Sequence, residues 1–294
     1  MDFDTELKQY QNDINDYLDK TIPSDDKHIG TILSSMRYSV FAGGKRLRPV
    51  LMLGTAEIFD CPFENIMPYA AGIEMIHTYS LIHDDLPGMD DDDYRRGKPT
   101  NHRVYGTGMA ILAGDGLLNF AFEHMLEHAY KNNGGKYVKA VLEIAHASGI
   151  HGMIGGQSVD IENTGKPMSM ELIKYMHKNK TGALIKAAVK SSAIISGADD
   201  DDIKRLGLYG SNLGLAFQII DDILDVCGDD KKLGKDTGSD ASNNKATYVS
   251  LYGIEKSKDA AASLTEEAIC ALKHYGDRAQ FLYKLTDYLL KRDF

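Results

Sequence analysis

Two groups of aspartates, far apart in the chain, are the residues whose types and spacing could do chemistry. The first lies in HTYSLIHDDLPGMD, which ends at Asp90, and the second in FQIIDDILD, which ends at Asp225. Both groups end apolar, helix-like segments, where carboxylates are costly unless positive charge compensates them. Two such groups held together would bind hard divalent cations, and protein-bound Mg²⁺ usually carries substrate phosphates. With Arg95, Arg96 and Lys235 nearby in sequence, the pattern indicates chemistry on a diphosphate.

Helical geometry predicts that each group aims several oxygens at one place. Asp221 and Asp225 are four residues apart, and Gln218 lies on the same helical face. The first group must break near Pro87-Gly88, which would let Asp90 return toward Asp84.

The other acidic residues fit simpler roles, and two alternative motifs fail on their sequences. The run Asp199–Asp202 opens a helix and is expected to cap it, and Asp91–Asp93 are expected to be surface acids. A calcium loop fails because Arg95 stands where glycine is needed. A phosphate-binding loop at residues 43–45 fails because the leading glycine is absent and Arg46 follows the lysine.

The basic residues are ambiguous when each is taken alone. In the turn GGKRLRP, Lys45 and Arg48 could clamp a diphosphate or could cap a helix. Arg95 and Arg96 could form surface ion pairs, and His77 on an apolar face is by default a core histidine.

The hydrophobic periodicity predicts a single all-α domain over residues 1–294. Clean two-residue alternation is absent, so no strands are predicted. The main predicted helices cover residues 69–85, 110–128, 137–154, 170–196, 201–226 and 264–291.

Bulk composition excludes several classes of protein. A net charge of -10 argues against nucleic acid as a partner. The cysteines at positions 61, 227 and 270 form no CxxC pair and suit a reducing cytoplasm. The acidic start MDFDTELKQY is unlike a targeting peptide, and no apolar run reaches the roughly 18 residues of a membrane span.

Taken together, the segments resemble the short-chain trans-prenyltransferases, the polyprenyl diphosphate synthases, and most closely the bacterial-type farnesyl diphosphate synthases. The resemblance runs in order through GGKRLRP, HTYSLIHDDLPGMDDDDYRRGKPTNH, AILAGDGLL, HGMIGGQSVD, KTGALI, FQIIDDILD and GKDTGSD. It implies the isoprenoid synthase fold, an antiparallel helical bundle around a deep central cavity, usually in a homodimer. It also implies condensation of isopentenyl diphosphate with an allylic diphosphate, with Mg²⁺ as cofactor and Mn²⁺ as a possible substitute.

The resemblance assigns roles by position. Metal binding falls to Asp84, Asp90 and Asp221, supported by Asp85 and Asp225. Isopentenyl diphosphate would be held by Gly44, Lys45, Arg48, His77 and Arg96. The allylic diphosphate would be held by Arg95, Lys180, Thr181, Gln218 and Lys235. The catalytic group comprises Asp84, Asp85, Asp90, Arg95, Lys180, Asp221 and Lys235.

Product length is expected to depend on the helix before Asp84. Tyr79 lies five residues earlier, about 7.5 Å along a helix, and Ser80 shares the Asp84 face better. In the family, an aromatic residue at the Tyr79 position with Pro-Gly in the first motif resembles enzymes that make the C15 product, farnesyl diphosphate. The alternatives are a C20 geranylgeranyl synthase, a class I terpene cyclase and a non-catalytic prenyltransferase subunit.

Overall fold

The computed structural model describes residues 2–227 and 247–290. The described α-helices, in chain order, are α1 Phe3–Thr21, α2 Gly30–Val40, α3 Leu47–Ile58, α4 Met67–Asp84, α5 Asn101–Tyr105, α6 Thr107–Lys131, α7 Gly135–Ser148, α8 Met153–Asn163, α9 Met170–Met176, α10 Gly182–Ile195, α11 Asp200–Cys227, α12 Tyr248–Tyr252, α13 Ile254–Leu272 and α14 Gln280–Leu290. Short 3₁₀ segments cover Phe63–Asn65 and Lys273–Ala279, and a π-helical turn covers His177–Thr181. The all-α prediction is confirmed.

The chain forms two compact units. The first comprises Met1–Leu53 and Pro62–Val141, and the second comprises Gly54–Cys61 and Leu142–Phe294, each taken over its described residues. The prediction of one domain over residues 1–294 stays a prediction.

In the first unit, α4 forms the centre of the core. It is buried from Pro68 through Ile76 and again at Thr78, Tyr79 and Ile82, as expected for a helix that is apolar on nearly all sides. Helices α1, α2 and α6 pack against it. A carboxylate at the end of such a helix is therefore held by a rigid, buried element.

In the second unit, α11 packs between α10 and α13. Small residues let α10 and α11 approach closely, because a Cβ atom on Gly214 would lie 2.9 Å from the Cα atom of Gly182. The side chain of Asp199 accepts hydrogen bonds from the backbone N–H groups of Asp201 and Asp202, at 3.0 and 2.8 Å. The prediction that this acidic run caps a helix is confirmed.

Three predicted helix boundaries are wrong. The segment 137–154 is two helices, because the chain turns at Gly152, where a Cβ atom would collide with the backbone of Ala147. The segment 264–291 is interrupted at Gly276, which has φ 56°. The segment 170–196 contains the π-helical turn, which an apolar periodicity does not reveal.

The expectation of no strands is also wrong in one place. Tyr94–Arg95 and Lys98–Pro99 form a short antiparallel hairpin. Its central residues, Arg96 and Gly97, have φ 53° and 73°, the left-handed backbone that two-residue hairpin turns favour. Strands of two residues are too short to show alternation.

No helix in residues 2–227 or 247–290 is long and apolar enough to cross a membrane.

Candidate active site

The first aspartate group lies where α4 ends. Asp84 is the last residue of the helix, and Asp85 caps it. After the turn at Pro87-Gly88, the backbone N–H of Asp90 donates a 2.9 Å hydrogen bond to the carbonyl oxygen of Asp84. This bond places Asp90 beside Asp84, as the sequence predicted.

Asp85 is bound by the hairpin. Arg95 donates from Nε to Asp85 Oδ1 at 2.6 Å, and its Nη2 atom lies 2.5 Å from the same oxygen. Arg95 also reaches Asp92 Oδ2 at 3.2 Å. Burial raises the pKa of Asp85, and the hydrogen bond and charge of Arg95 oppose that shift. Asp85 therefore positions Arg95 as well as the end of α4.

A cluster of arginines surrounds His77 on α4. Burial lowers the pKa of His77 well below its usual value, and the charges of Arg48, Arg96 and Arg95 lower it further. His77 is therefore neutral at pH 7. Burial also lowers the pKa of Arg48 to about 10, so this guanidinium keeps its charge.

Arg48 has an unmet hydrogen-bonding capacity. Its side chain is buried, and its Nε atom has no hydrogen-bond partner. A buried donor without an acceptor is costly, and the surrounding charge is mainly positive. The cluster of Arg48, Arg96 and neutral His77 therefore fits a polyanion such as a diphosphate.

Gly44 is required by the position of Arg96. The Nη1 atom of Arg96 donates to the carbonyl oxygen of Gly43. A Cβ atom on Gly44 would lie 2.5 Å from Arg96 Cζ, and Gly44 has φ 125°. Only glycine combines this backbone conformation with this close approach.

The residues predicted to set product length lie one turn before the carboxylates. Tyr79 is 6% exposed, and its ring is nearly perpendicular to that of His83, with centroids 5.7 Å apart. Burial raises the pKa of Tyr79 to about 12, so the phenol is neutral. The Ser80 hydroxyl donates back to the carbonyl oxygen of His77 at 2.9 Å.

In the second unit, hydrogen bonds link the second aspartate group to the π-helical turn. Thr181 Oγ1 donates to Gln218 Oε1 at 2.9 Å, and Gln218 Nε2 donates to Asp222 Oδ1 at 3.0 Å. The other oxygen of Asp222 accepts from the backbone N–H of Tyr248 at 2.9 Å. Two predicted allylic-site residues, Thr181 and Gln218, are thus part of one network.

Asp222 is the buried carboxyl group of this network. Burial raises its pKa to about 6, against the lowering effect of its hydrogen bonds. His177 Nε2 lies 3.7 Å from Asp222 Oδ2, and burial lowers the pKa of His177 to about 4. Asp221 is half-buried and Asp225 is buried on the same helix.

Lys180 is held by an ion pair with Asp160 of α8, at 2.5 Å. Helix α8 approaches the π-helical turn closely, because a Cβ atom on Gly156 would collide with the backbone of Lys180. The glycines of HGMIGGQSVD therefore allow the contact that fixes Lys180. Lys235, the remaining predicted ligand, lies outside the described residues.

Each aspartate group, taken by itself, has hard oxygen donors of the kind that bind a divalent cation together with a substrate. Asp84 and Asp90 offer carboxylate oxygens at one turn, and Asp221 and Asp225 offer them on one helix. Within the described parts of the chain, no three His, Cys, Asp or Glu side chains are gathered to hold an ion by themselves. Mg²⁺ is commonly bound through one or two carboxylates plus phosphates.

Sequence reasoning did not select several residues that support this site. No role was predicted for Asp222 or for the partners Glu74, Asp160 and His177. Arg46 was used only to reject a phosphate-binding loop. Polar residues inside apolar segments, such as Glu74 in GIEMIHT, were the available signal.

Comparison with known proteins places this chain among the prenyl diphosphate synthases. The family model described as polyprenyl synthetase matches residues 30–285. A geranylgeranyl diphosphate synthase of Cyanophora paradoxa is 43% identical over 290 residues, 98% of this chain and 96% of that protein. A farnesyl diphosphate synthase of Geobacillus stearothermophilus is 47% identical over 235 residues, 80% of this chain and 79% of that protein.

A solved structure agrees with these relatives. The crystal structure of an FPP/GFPP synthase from Zymomonas mobilis superposes with a TM-score of 0.88 at 35% identity, covering 98% of both chains. The prediction of the isoprenoid synthase fold is confirmed. The names of the two relatives refer to products of different length, geranylgeranyl diphosphate and farnesyl diphosphate.

Proposed function

Since this chain belongs to the polyprenyl synthetase family and is a prenyltransferase, we propose that it makes farnesyl diphosphate. The substrates would be isopentenyl diphosphate and dimethylallyl or geranyl diphosphate, condensed head to tail with release of pyrophosphate.

The observation that best supports this proposal is the buried cationic cluster. Arg48 keeps its charge with a buried Nε atom that has no hydrogen-bond partner, and His77 is neutral among arginines. Such a cluster suits a second diphosphate in addition to one bound by metal. A terpene cyclase, which ionises one diphosphate, does not need it.

The proposed mechanism assigns each group a role. When bound, Mg²⁺ would be held by Asp84, Asp90 and Asp221, with support from Asp85 and Asp225, and would neutralise the diphosphate leaving group. Arg95 and Lys180 supply fixed positive charge where negative charge grows as the C–O bond breaks. Lys235 is proposed for the same role.

The remaining steps need few protein groups. The double bond of isopentenyl diphosphate attacks the allylic carbon to form the new C–C bond, and loss of one proton restores a double bond. The departing pyrophosphate is the proposed proton acceptor. Apolar helical walls must exclude water, which would otherwise capture the cation.

A C15 product is favoured by Tyr79. Its ring is buried one turn before Asp84 and packed against His83, so it is placed to stop a growing chain. A C20 product remains the second candidate, because a geranylgeranyl diphosphate synthase is 43% identical over nearly the whole chain. A non-catalytic subunit is disfavoured because both aspartate groups are intact.

Cofactor, assembly and location complete the proposal. Mg²⁺ is proposed as the metal, with Mn²⁺ as a substitute, on the basis of the hard oxygen donors. A homodimer is proposed from the family resemblance, and a cytoplasmic location from the cysteines. The three cysteines are free thiols in the structure, which suits a reducing compartment.

Product analysis tests the proposal. Purified protein is incubated with Mg²⁺, isopentenyl diphosphate and each of the C5, C10 and C15 allylic diphosphates, and the dephosphorylated alcohols are identified. We expect farnesol from the C5 and C10 starters and no longer product from C15. Geranylgeraniol as main product would contradict the C15 assignment, and no condensation with any starter would contradict the function.

A further inference from the structure

Arg46, in the GGKRLRP turn, donates its hydrogen bonds to groups inside the protein. It is 3% exposed. Its Nε donates to Asn15 Oδ1 at 2.9 Å, Nη1 to Glu74 Oε1 at 2.8 Å and Nη2 to the carbonyl oxygen of Val40 at 2.6 Å. With each of these nitrogens bound inside the protein, Arg46 is poorly placed to bind a substrate.

Its partner, Glu74, lies on α4 three residues before His77, which puts both on one face of the helix. Both side chains of the Arg46–Glu74 pair are 2% exposed. Replacing such a pair with apolar groups is often neutral or stabilising. Stability alone therefore does not account for its presence beneath the arginine cluster.

Helix α1 also holds the basic turn. From α1, Gln11 Nε2 donates to the carbonyl oxygen of Lys45 at 2.9 Å, and Asn15 binds Arg46. Gln11 and Asn15 are one helical turn apart. Arg46 itself has φ 51°, an uncommon conformation that the surrounding contacts must maintain.

Glu74 also balances the cluster electrically. Its negative charge raises the pKa values of Arg48 and Arg96, against the lowering effect of their burial. Its Oε2 atom is buried without a hydrogen-bond partner. Glu74 therefore stabilises the charged arginines without covering the Nε atom that Arg48 leaves unpartnered.

From these contacts we infer that Arg46 and Glu74 are positioning residues that hold Lys45, Arg48 and His77 in register to bind isopentenyl diphosphate. This inference rests on the proposed function. Arg46 fixes the backbone of the turn, and Glu74 fixes that turn to the helix that carries His77.

The test measures KM separately for each of the two substrates. The variants are Glu74→Gln, Arg46→Lys and the double variant, because Arg46→Lys keeps the charge but loses the three-way hydrogen bonding. We expect each single variant to raise KM for isopentenyl diphosphate about tenfold, the equivalent of losing one charged hydrogen bond. KM for geranyl diphosphate should stay within about twofold, and the double variant should resemble the worse single variant.

Glu143→Gln is the matched control, because it removes the ion pair between Glu143 and Lys190 (2.7 Å) in the second unit. It should leave both KM values unchanged. Equal changes in both KM values, or a loss of thermal stability with unchanged KM for isopentenyl diphosphate, would overturn the inference.

A binding measurement keeps this result distinct from failure of the proposed function. Isothermal titration calorimetry of wild type and each variant with pyrophosphate in Mg²⁺-free buffer, without turnover, tests the cationic cluster, because the aspartate groups hold a diphosphate through the metal. Weaker binding in Glu74→Gln and Arg46→Lys supports the positioning role even if the wild type condenses nothing. Unchanged binding in both variants overturns it.

Discussion

Arg95 and Asp85 form a hydrogen-bonded ion pair, 2.6 Å from Nε to Oδ1, that fastens the hairpin to the end of α4. The next residue, Arg96, occupies the tip of that hairpin and reaches the carbonyl oxygen of Gly43. The carboxylates at the end of α4 and the arginine cluster are thus joined by two consecutive arginines. This arrangement makes the two proposed diphosphate-binding regions of the first unit depend on one short hairpin.

Removing a proposed metal ligand should abolish most turnover. Asp84→Ala and Asp221→Ala are each expected to lower kcat by at least about 100-fold, the usual scale for losing one group that stabilises developing charge. Circular dichroism should show the helical fold retained. Asp201→Ala, which changes an exposed carboxylate paired with Lys204, is the control and should be fully active. Near-normal Mg²⁺-dependent turnover in either variant would remove that residue from the metal site.

Substitutions at Tyr79 and Ser80 should change product length in opposite directions. Tyr79→Ala opens space below the carboxylates and should shift the main product from C15 to C20 or longer. Ser80→Phe adds a ring on the Asp84 face and should favour C10. Chromatography of the dephosphorylated alcohols measures both. An unchanged product spectrum in Tyr79→Ala would exclude Tyr79 as the stop.

Gly44→Ala should weaken binding of isopentenyl diphosphate. The new Cβ atom would displace the Arg96 guanidinium, and alanine at φ 125° is strained. We expect KM for isopentenyl diphosphate to rise about tenfold, and the same substitution added to Arg96→Ala should have little further effect. Gly30→Ala is the control, because a Cβ atom there meets nothing within 4 Å. Additive effects of Gly44→Ala and Arg96→Ala would show that they act separately.

His177 should make folding stability fall in acid. Burial lowers its pKa from 6.5 to about 4, so the folded state excludes a proton that the unfolded state binds. Its contribution is complete above pH 6.5 and is lost as the pH falls toward 4, about 3 kcal/mol in all. Asp222, with its pKa raised to about 6, has the opposite effect. Its contribution to folding stability increases as the pH falls through part of that range.

Urea unfolding at pH 7, 6 and 5 measures this dependence. His177→Asn should lose less stability on acidification than the wild type, because only the opposing contribution of Asp222 remains at this contact. The exposed His146→Asn variant should keep the wild-type pH dependence. If His177→Asn has the same pH dependence as the wild type, the buried neutral histidine is not responsible.

The sequence predicted the helices well where apolar periodicity was unbroken. The helices that end at Asp84 and contain Asp221 were found within one or two residues of their observed ends. The turns at Gly152 and Gly276 were missed because close local backbone contacts at Gly152 and the positive φ of Gly276, which periodicity does not register, end those helices.

The site was predictable at the level of residue types but not of partners. Motif order selected both aspartate groups and the basic turn. It could not show that Asp85 is bound by Arg95, that Lys180 is bound by Asp160, or that Asp222 binds the backbone of Tyr248. Those contacts join residues 10, 20 and 26 positions apart in the chain, and they depend on how the hairpin, α8 and α12 pack against neighbouring elements.

The π-helical turn at His177–Thr181 carries one more residue than an α-helical turn would need. Each helical residue advances the side-chain direction by about 100°, so the insertion shifts the phase of α9 against α10. This phase shift lets three residues of one turn contact different neighbours: His177 lies beside Asp222, Lys180 reaches Asp160 and Thr181 reaches Gln218. Deleting one residue there would leave a continuous helix of ordinary pitch with these side chains rotated out of alignment.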